Sequence, residues 1–182
     1  MSSLVRHAGS IFWKRRPVHL TFFLTRKCNA HCPFCFYLKS PDNPRTTAPE
    51  LSLDEIEHIS RSLGNLLWLA FSGGEVYLRK DLVEISKVFY DRNRPAVMLY
   101  PSNGLLSDLI RDQTERIAAH CRSSVVVVKL SLDVVVTDHD TLRNTRGNFD
   151  KTMQTYALLQ GLLDSYPNFE LGFNTVLTAQ NQ

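Results

Sequence analysis

The chain has 182 residues, a length that suits one domain, and 43% of them are hydrophobic, enough to build a core. With 21 basic against 18 acidic residues the net charge is +3, too even to mark a nucleic-acid or strongly acidic partner. No apolar run approaches the roughly 20 residues that a membrane-spanning helix needs. Arg15-Arg16 is followed by no apolar segment of the export-signal kind, so the cytoplasm is the expected location.

The predicted elements alternate strand and helix. The first strand is Val18 to Thr25, with residues 1–17 read as an N-terminal extension and 18–182 as one core domain. A cysteine-rich segment follows, then a loop holding Pro41, Pro44 and Pro49. Ser52 and Glu55 form a capping box for a helix running to about Leu63. The second strand is Leu66 to Ser72, almost wholly apolar, as a strand covered on both faces should be. A helix from Asp81 to Arg92 puts Leu82, Ile85 and Phe89 on one face. The third strand is Ala96 to Tyr100, and the helix Leu106 to Ala119 is expected to turn Leu109, Ile110 and Ile117 inward. The fourth strand, Val125 to Leu132, is dense in β-branched residues. A helix from Phe149 to Leu163 and a fifth strand from Glu170 to Leu177 complete the series. Such alternation predicts an α/β fold with a parallel sheet and crossover helices.

The segment Cys28-Asn29-Ala30-His31-Cys32-Pro33-Phe34-Cys35 groups three thiols just past the first strand. Core cysteines would not be interleaved with Asn, His and Pro, and three free exposed thiols would oxidise or take up stray metal. The spacing C-x3-C-x2-C supplies three ligands, one fewer than the usual four. An iron–sulfur cluster held by three thiolates keeps one iron open to a reacting molecule. Zinc is the other reading, with His31 as a fourth ligand from the position next to Cys32. The chain would then be a non-catalytic structural or interaction module. Cys121 stands apart, as a buried thiol or an auxiliary ligand.

Cys28, Cys32 and Cys35, with the aromatic Phe34 before the third cysteine and Gly73-Gly74-Glu75 after the second strand, resemble the radical S-adenosylmethionine (SAM) enzymes. The resemblance runs from about Thr21 to Val176. It implies a partial (β/α)6 barrel resembling a TIM barrel, of which five parallel strands are present and the sixth is missing. It also implies a [4Fe–4S] cluster on the three cysteines, SAM chelated at the open iron, and reductive cleavage to a 5'-deoxyadenosyl radical that takes hydrogen from an unidentified substrate. Flavodoxin or ferredoxin would supply the electron. Ser131-Leu132-Asp133 with His139-Asp140-Thr141-Leu142-Arg143 resembles the branch that includes the molybdenum-cofactor enzyme and the peptide maturases.

The same resemblance assigns the remaining cofactor-binding residues. Phe34 would pack near the adenine, and Gly73 and Gly74 would meet the SAM amino group, with Glu75 as the matching acid. Ser131 and Arg143 would hold the carboxylate, a group suited to a guanidinium fork. Asn103 of Ser102-Asn103-Gly104 and Asn174 of the fifth strand would reach ribose, carboxylate or substrate. Ordinary readings stand beside these: a tight turn at Asn103-Gly104, a helix cap at Glu75, loop packing at Phe34 and a surface arginine at Arg143. Val76 stands where relatives often have proline.

All of these residues lie at or just past the carboxyl ends of predicted strands, so a parallel α/β fold gathers them on one rim. An open doubly wound sheet would do the same. The series stops one strand short of the implied barrel, which leads us to expect further chain beyond Gln182 or a partner chain over the open edge. The loop Phe36 to Glu50 is a candidate cover for the cluster. Nucleic-acid binding has only Arg6 and Lys14-Arg15-Arg16 in its favour.

Overall fold

The computed structural model describes residues 16–37, 49–134 and 137–177, with the side chains of residues 137 and 138 excepted. The N-terminal basic residues before Arg16 and most of the Phe36 to Glu50 loop lie outside these.

Five strands form one parallel sheet: β1 (His19–Thr25), β2 (Trp68–Gly73), β3 (Val97–Ser102), β4 (Val125–Ser131) and β5 (Phe169–Asn174). Their spatial order is the chain order, 1-2-3-4-5. A doubly wound sheet reverses direction at a switch point, and no such reversal exists here. Successive right-handed crossovers without reversal put every helix on the same side and curl the sheet as in a barrel. The fold is thus a partial (β/α) barrel, as the resemblance implies.

The crossover helices are α1 (Leu53–Ser62), α2 (Leu82–Asn93), α3 (Ser107–His120), a short α4 (Thr137–Leu142) and α5 (Asn148–Leu163). α1 begins as its sequence dictates. The Ser52 hydroxyl oxygen accepts from Glu55 N–H at 3.3 Å, and Glu55 Oε2 accepts from Ser52 N–H at 2.8 Å. α2 buries Leu82, Ile85 and Phe89 completely. Together with Ile56, Ile110, Ile117, Leu159 and Leu162 from the other helices they cover Leu69, Phe71, Met98, Tyr100, Val126, Val128 and Leu130 of the strands. Phe22, Phe71, Phe89 and Tyr100 meet ring to ring at 5.1–6.1 Å in that layer.

One inward assignment fails. Leu109 is 40% exposed, while Gln113 and Thr114 are buried beside Ile110 and Ile117. The buried stripe of α3 carries polar residues because Tyr77 comes down onto it: its hydroxyl shares a 2.9 Å hydrogen bond with Thr114 Oγ1. Two further elements have no counterpart in the sequence reading, the short 3-10 helix Val76–Leu78 and α4.

The other face of the sheet is concave. Residues level with one another across it are Thr21, Ala70, Leu99, Val127 and Glu170. Among the described residues no helix packs there, and Thr21 and Glu170 are exposed.

Candidate active site

Chain direction places every strand's carboxyl end on one rim, and a cavity of about 320 Å³ opens there. Cys28, Cys32, Cys35, Phe34, Gly73, Gly74, Glu75, Asn103, Ser131, Arg143 and Asn174 all line it. The sequence reading did not single out Ala30, Phe36, Ser72, Pro101 and Val176, which also line it. His31 is exposed and does not line it, and Cys121 is fully buried in the helix-covered core.

The cysteine segment is shaped locally. Cys32 to Cys35 is a tight turn closed by Cys35 N–H donating to Cys32 O at 3.2 Å, with Pro33 at the position whose fixed φ favours it. Upstream, Ala30 N–H points at Cys28 Sγ at 3.5 Å. All three thiols are half-buried. Burial pushes the Cys28 and Cys32 thiols above their ordinary range, and the Arg143 charge offsets part of that rise at Cys32.

Gly73 and Gly74 are glycines because of the backbone they touch. Gly73 has φ +121, and a Cβ there would overlap the Thr25 carbonyl oxygen; a Cβ on Gly74 would overlap the Lys27 carbonyl oxygen. The close approach lets Gly74 N–H donate to Thr25 O at 2.8 Å and Glu75 N–H to Lys27 O at 2.9 Å. The turn after β2 is thereby sewn to the backbone leading into Cys28.

Glu75 is only 1% exposed. Its carboxylate accepts from Tyr77 N–H at 3.3 Å, capping the 3-10 helix. It also accepts from the Ser102 hydroxyl at 3.1 Å and Asn103 N–H at 2.8 Å. Glu75 therefore straps the end of β2 to the end of β3. Burial raises its pKa to about 7, against the pull of those three donors.

Asn103 is the next link. Its Oδ1 accepts from Leu105 N–H at 3.0 Å, closing the turn through Gly104 at φ +78. Its Nδ2 donates to Asn29 Oδ1 at 2.8 Å and approaches Cys28 Sγ at 3.7 Å. α5 holds this turn from behind, with Thr152 Oγ1 donating to Asn103 O at 3.1 Å and Thr155 Oγ1 to Gly104 O at 2.6 Å. No motif pointed to Thr152 or Thr155; only the packing of α5 brings them there.

Across the cavity the parts are ionic. Arg143 is 5% exposed, which removes the surface-arginine reading. Its Nε donates to Asp133 Oδ2 at 2.7 Å, its Nη1 approaches Cys32 Sγ at 3.8 Å, and its guanidinium lies 5.7 Å from the centre of the Phe34 ring. Asp133 N–H donates to His139 Nδ1 at 3.3 Å. His139 is wholly buried, and burial lowers its pKa, favouring the neutral ring. Beyond them Ser131 and Asn174 are register partners at the tips of β4 and β5.

Three half-buried thiols, a backbone cradle that side chains would fill and a buried guanidinium form a donor set that fits an iron–sulfur cluster with an anionic ligand beside it. Among the described residues no three His, Cys, Asp or Glu side chains are drawn together as a single metal ion requires.

Residues 22–173 match the family model of the radical SAM superfamily. The chain is 27% identical over 146 residues to the antilisterial bacteriocin subtilosin biosynthesis protein AlbA of Bacillus subtilis, covering 79% of this chain and 30% of AlbA. It is 32% identical over 117 residues to the PqqA peptide cyclase of Rhodopseudomonas palustris, covering 63% of this chain and 28% of the cyclase. The chain thus spans about a third of the length of these relatives. Its fold superimposes with a TM-score of 0.64 on native anSMEcpe with bound AdoMet and Kp18Cys peptide, at 18% identity, covering 89% of this chain and 44% of that one. Strand order, rim and the match over nearly the whole described sheet agree, and the chain belongs to the radical SAM superfamily, where it resembles the peptide-maturase branch.

Proposed function

We propose that this chain is the core of a radical SAM enzyme whose cofactors occupy the rim cavity. The observation that carries the reading is the convergence of Cys28, Cys32 and Cys35 with Arg143, Ser131 and Asn174 around one space of about 320 Å³. Cys28, Cys32 and Cys35 would hold a [4Fe–4S] cluster. The raised pKa values of Cys28 and Cys32 mean that loading displaces protons from those two thiols. Held there, the cluster would supply one-electron reduction of SAM and, through it, the means to abstract hydrogen from a substrate.

The protein's share is orientation and exclusion of water. Arg143, aimed by Asp133, presents a positive charge to the SAM carboxylate, and Ser131 and Asn174 add hydrogen-bonding groups along the same wall. Gly73 and Gly74 keep that part of the cavity free of side chains, so backbone groups can meet the amino group. Phe34, held under Arg143, supplies a flat apolar surface for the adenine. Glu75 and Asn103 act mainly on the cysteine segment, which they hold in place from β2 and β3.

The PqqA peptide cyclase is named for a peptide, so a peptide is the substrate class we favour. A flavodoxin or ferredoxin is the matching one-electron donor. Free thiols and a reducible cluster suit a reducing compartment such as the cytoplasm. Among the described residues no helix is long and apolar enough to cross a membrane. The zinc reading would need His31 as its fourth ligand, and His31 is exposed and outside the cavity lining.

Anaerobic reconstitution tests the assignment. The chain should take up about four iron and four sulfide, as a [4Fe–4S] cluster requires. One zinc per chain, with no sulfide bound, would overturn it.

A further inference from the structure

The fourth strand reads Val125-Val126-Val127-Val128-Lys129-Leu130-Ser131, an apolar run interrupted by one cation. Alternation sends Val126, Val128 and Leu130 into the core and turns Lys129 and Ser131 to the concave face. At the level of Lys129 the neighbouring strands present Pro101 and Gly172, and neither has a side chain that accepts a hydrogen bond. The ammonium fills the space over Gly172, where any Cβ would overlap Nζ. Glycine at that position is what lets the lysine lie across β5.

The two buried arginines among the described residues are matched. Arg79 meets Asp81 at 2.6 Å, and Arg143 meets Asp133 at 2.7 Å. Half-buried Lys129 makes no ion pair or hydrogen bond among the described residues. Glu170, one pleat lower on β5 and exposed, is beyond ion-pair distance. One pleat higher, about 7 Å along the strands, Ser131 and Asn174 line the cavity.

We propose that Lys129 is a substrate-recognition residue that takes an anionic oxygen group, a carboxylate or a phosphate, from a substrate reaching down the concave face from the cavity. An ammonium held over Gly172 with no acceptor among the described residues has donors to spare, and an arriving oxyanion would take them up in charge-assisted hydrogen bonds. Lysine is a compact charge with rotatable donors, so it accepts either anion without the planar geometry that arginine demands. The inference rests on the cavity being the substrate's way in. It does not depend on the cluster, so it can be tested in unloaded chain and can fail independently of iron loading.

The competing explanation is a lysine whose stem covers apolar strand while its head sits in water. Labelling the lysines with 13C-methyl groups, which keeps their charge, separates the two by NMR. Lys129→Arg deletes the Lys129 resonance and assigns it while preserving the positive charge. Titration with glutarate and with inorganic phosphate should move the Lys129 resonance saturably, at concentrations about tenfold below those that move exposed Lys80 and Lys151. Response to glutarate alone identifies a carboxylate site, and response to phosphate alone a phosphate site. A Lys129 resonance that follows the exposed lysines, or an amine that cannot be methylated at all, overturns the proposal.

Discussion

The two sides of the rim are built from different chemistry. The β1–β3 side, which serves Cys28, is built mainly from backbone and hydrogen bonds: glycines pressed on carbonyls, Glu75 strapping two strand ends, Asn103 reaching the sulfur. The β4–β5 side, which serves Cys32, depends on one buried ion pair, Asp133 with Arg143, and ends in exposed Asn174 and Val176. Many short hydrogen bonds make the first side rigid at little electrostatic risk. The second concentrates its function in a charge, which can bind an anion but leaves a large penalty if either partner is lost.

The largest expected effect tests what both sides share. Cys32→Ala should abolish cluster retention, because two thiolates remain where three are needed; full iron and sulfide loading in that variant would remove Cys32 from the ligand set.

The ionic side should then prove the more brittle. Asp133→Asn keeps the shape and the bond from Val176 N–H but leaves Arg143 as an uncompensated buried cation. A loss of about 3–5 kcal/mol in denaturant unfolding is expected. A loss under 1 kcal/mol would place the pair with ordinary surface ion pairs and erase the contrast.

On the β1–β3 side the signature is a pH dependence. Glu75 has a folded pKa of about 7 against an ordinary 4.5, so between those values the folded chain holds a proton that the unfolded chain has lost. Stability should therefore fall as pH rises from about 4.5 to 7 and then level off, by a total of roughly 3 kcal/mol. Glu75→Gln should flatten that decline. An unchanged slope in the variant would show that another group causes it.

The smallest effect concerns geometry alone. Arg143→Lys retains the charge but loses the fork, and SAM affinity should weaken by about 1.5–3 kcal/mol in a calorimetric titration. Unchanged affinity would mean that the guanidinium serves Cys32 and Phe34 only.

Much of this architecture is legible in the residues. Ser52 and Glu55 announce their helix, Leu82, Ile85 and Phe89 share a face, and strands of valine and phenylalanine alternate with helices, because caps and periodicities act within a few residues. The cysteine spacing and Gly73-Gly74-Glu75 are legible for the same reason. Leu109 misled because its helix buries Gln113 and Thr114, and Thr114 is satisfied by Tyr77 from another element. The short helix α4 has too little periodicity to read.

By itself, then, the sequence determined the order of strands and helices, the three-thiol segment and the family. Only the tertiary structure decided that the sheet runs 1-2-3-4-5 without reversal, and that Gly73 and Gly74 yield first to the Thr25 and Lys27 carbonyls. It also turned Glu75 inward as a strap, paired Arg143 with Asp133 and left Lys129 without a partner on the concave face among the described residues. Except for the Arg143–Asp133 pair, ten positions apart, those outcomes depend on contacts between residues dozens of positions apart. Close packing and the cost of unpaired buried polar groups settle them, and neither acts until the strands are side by side.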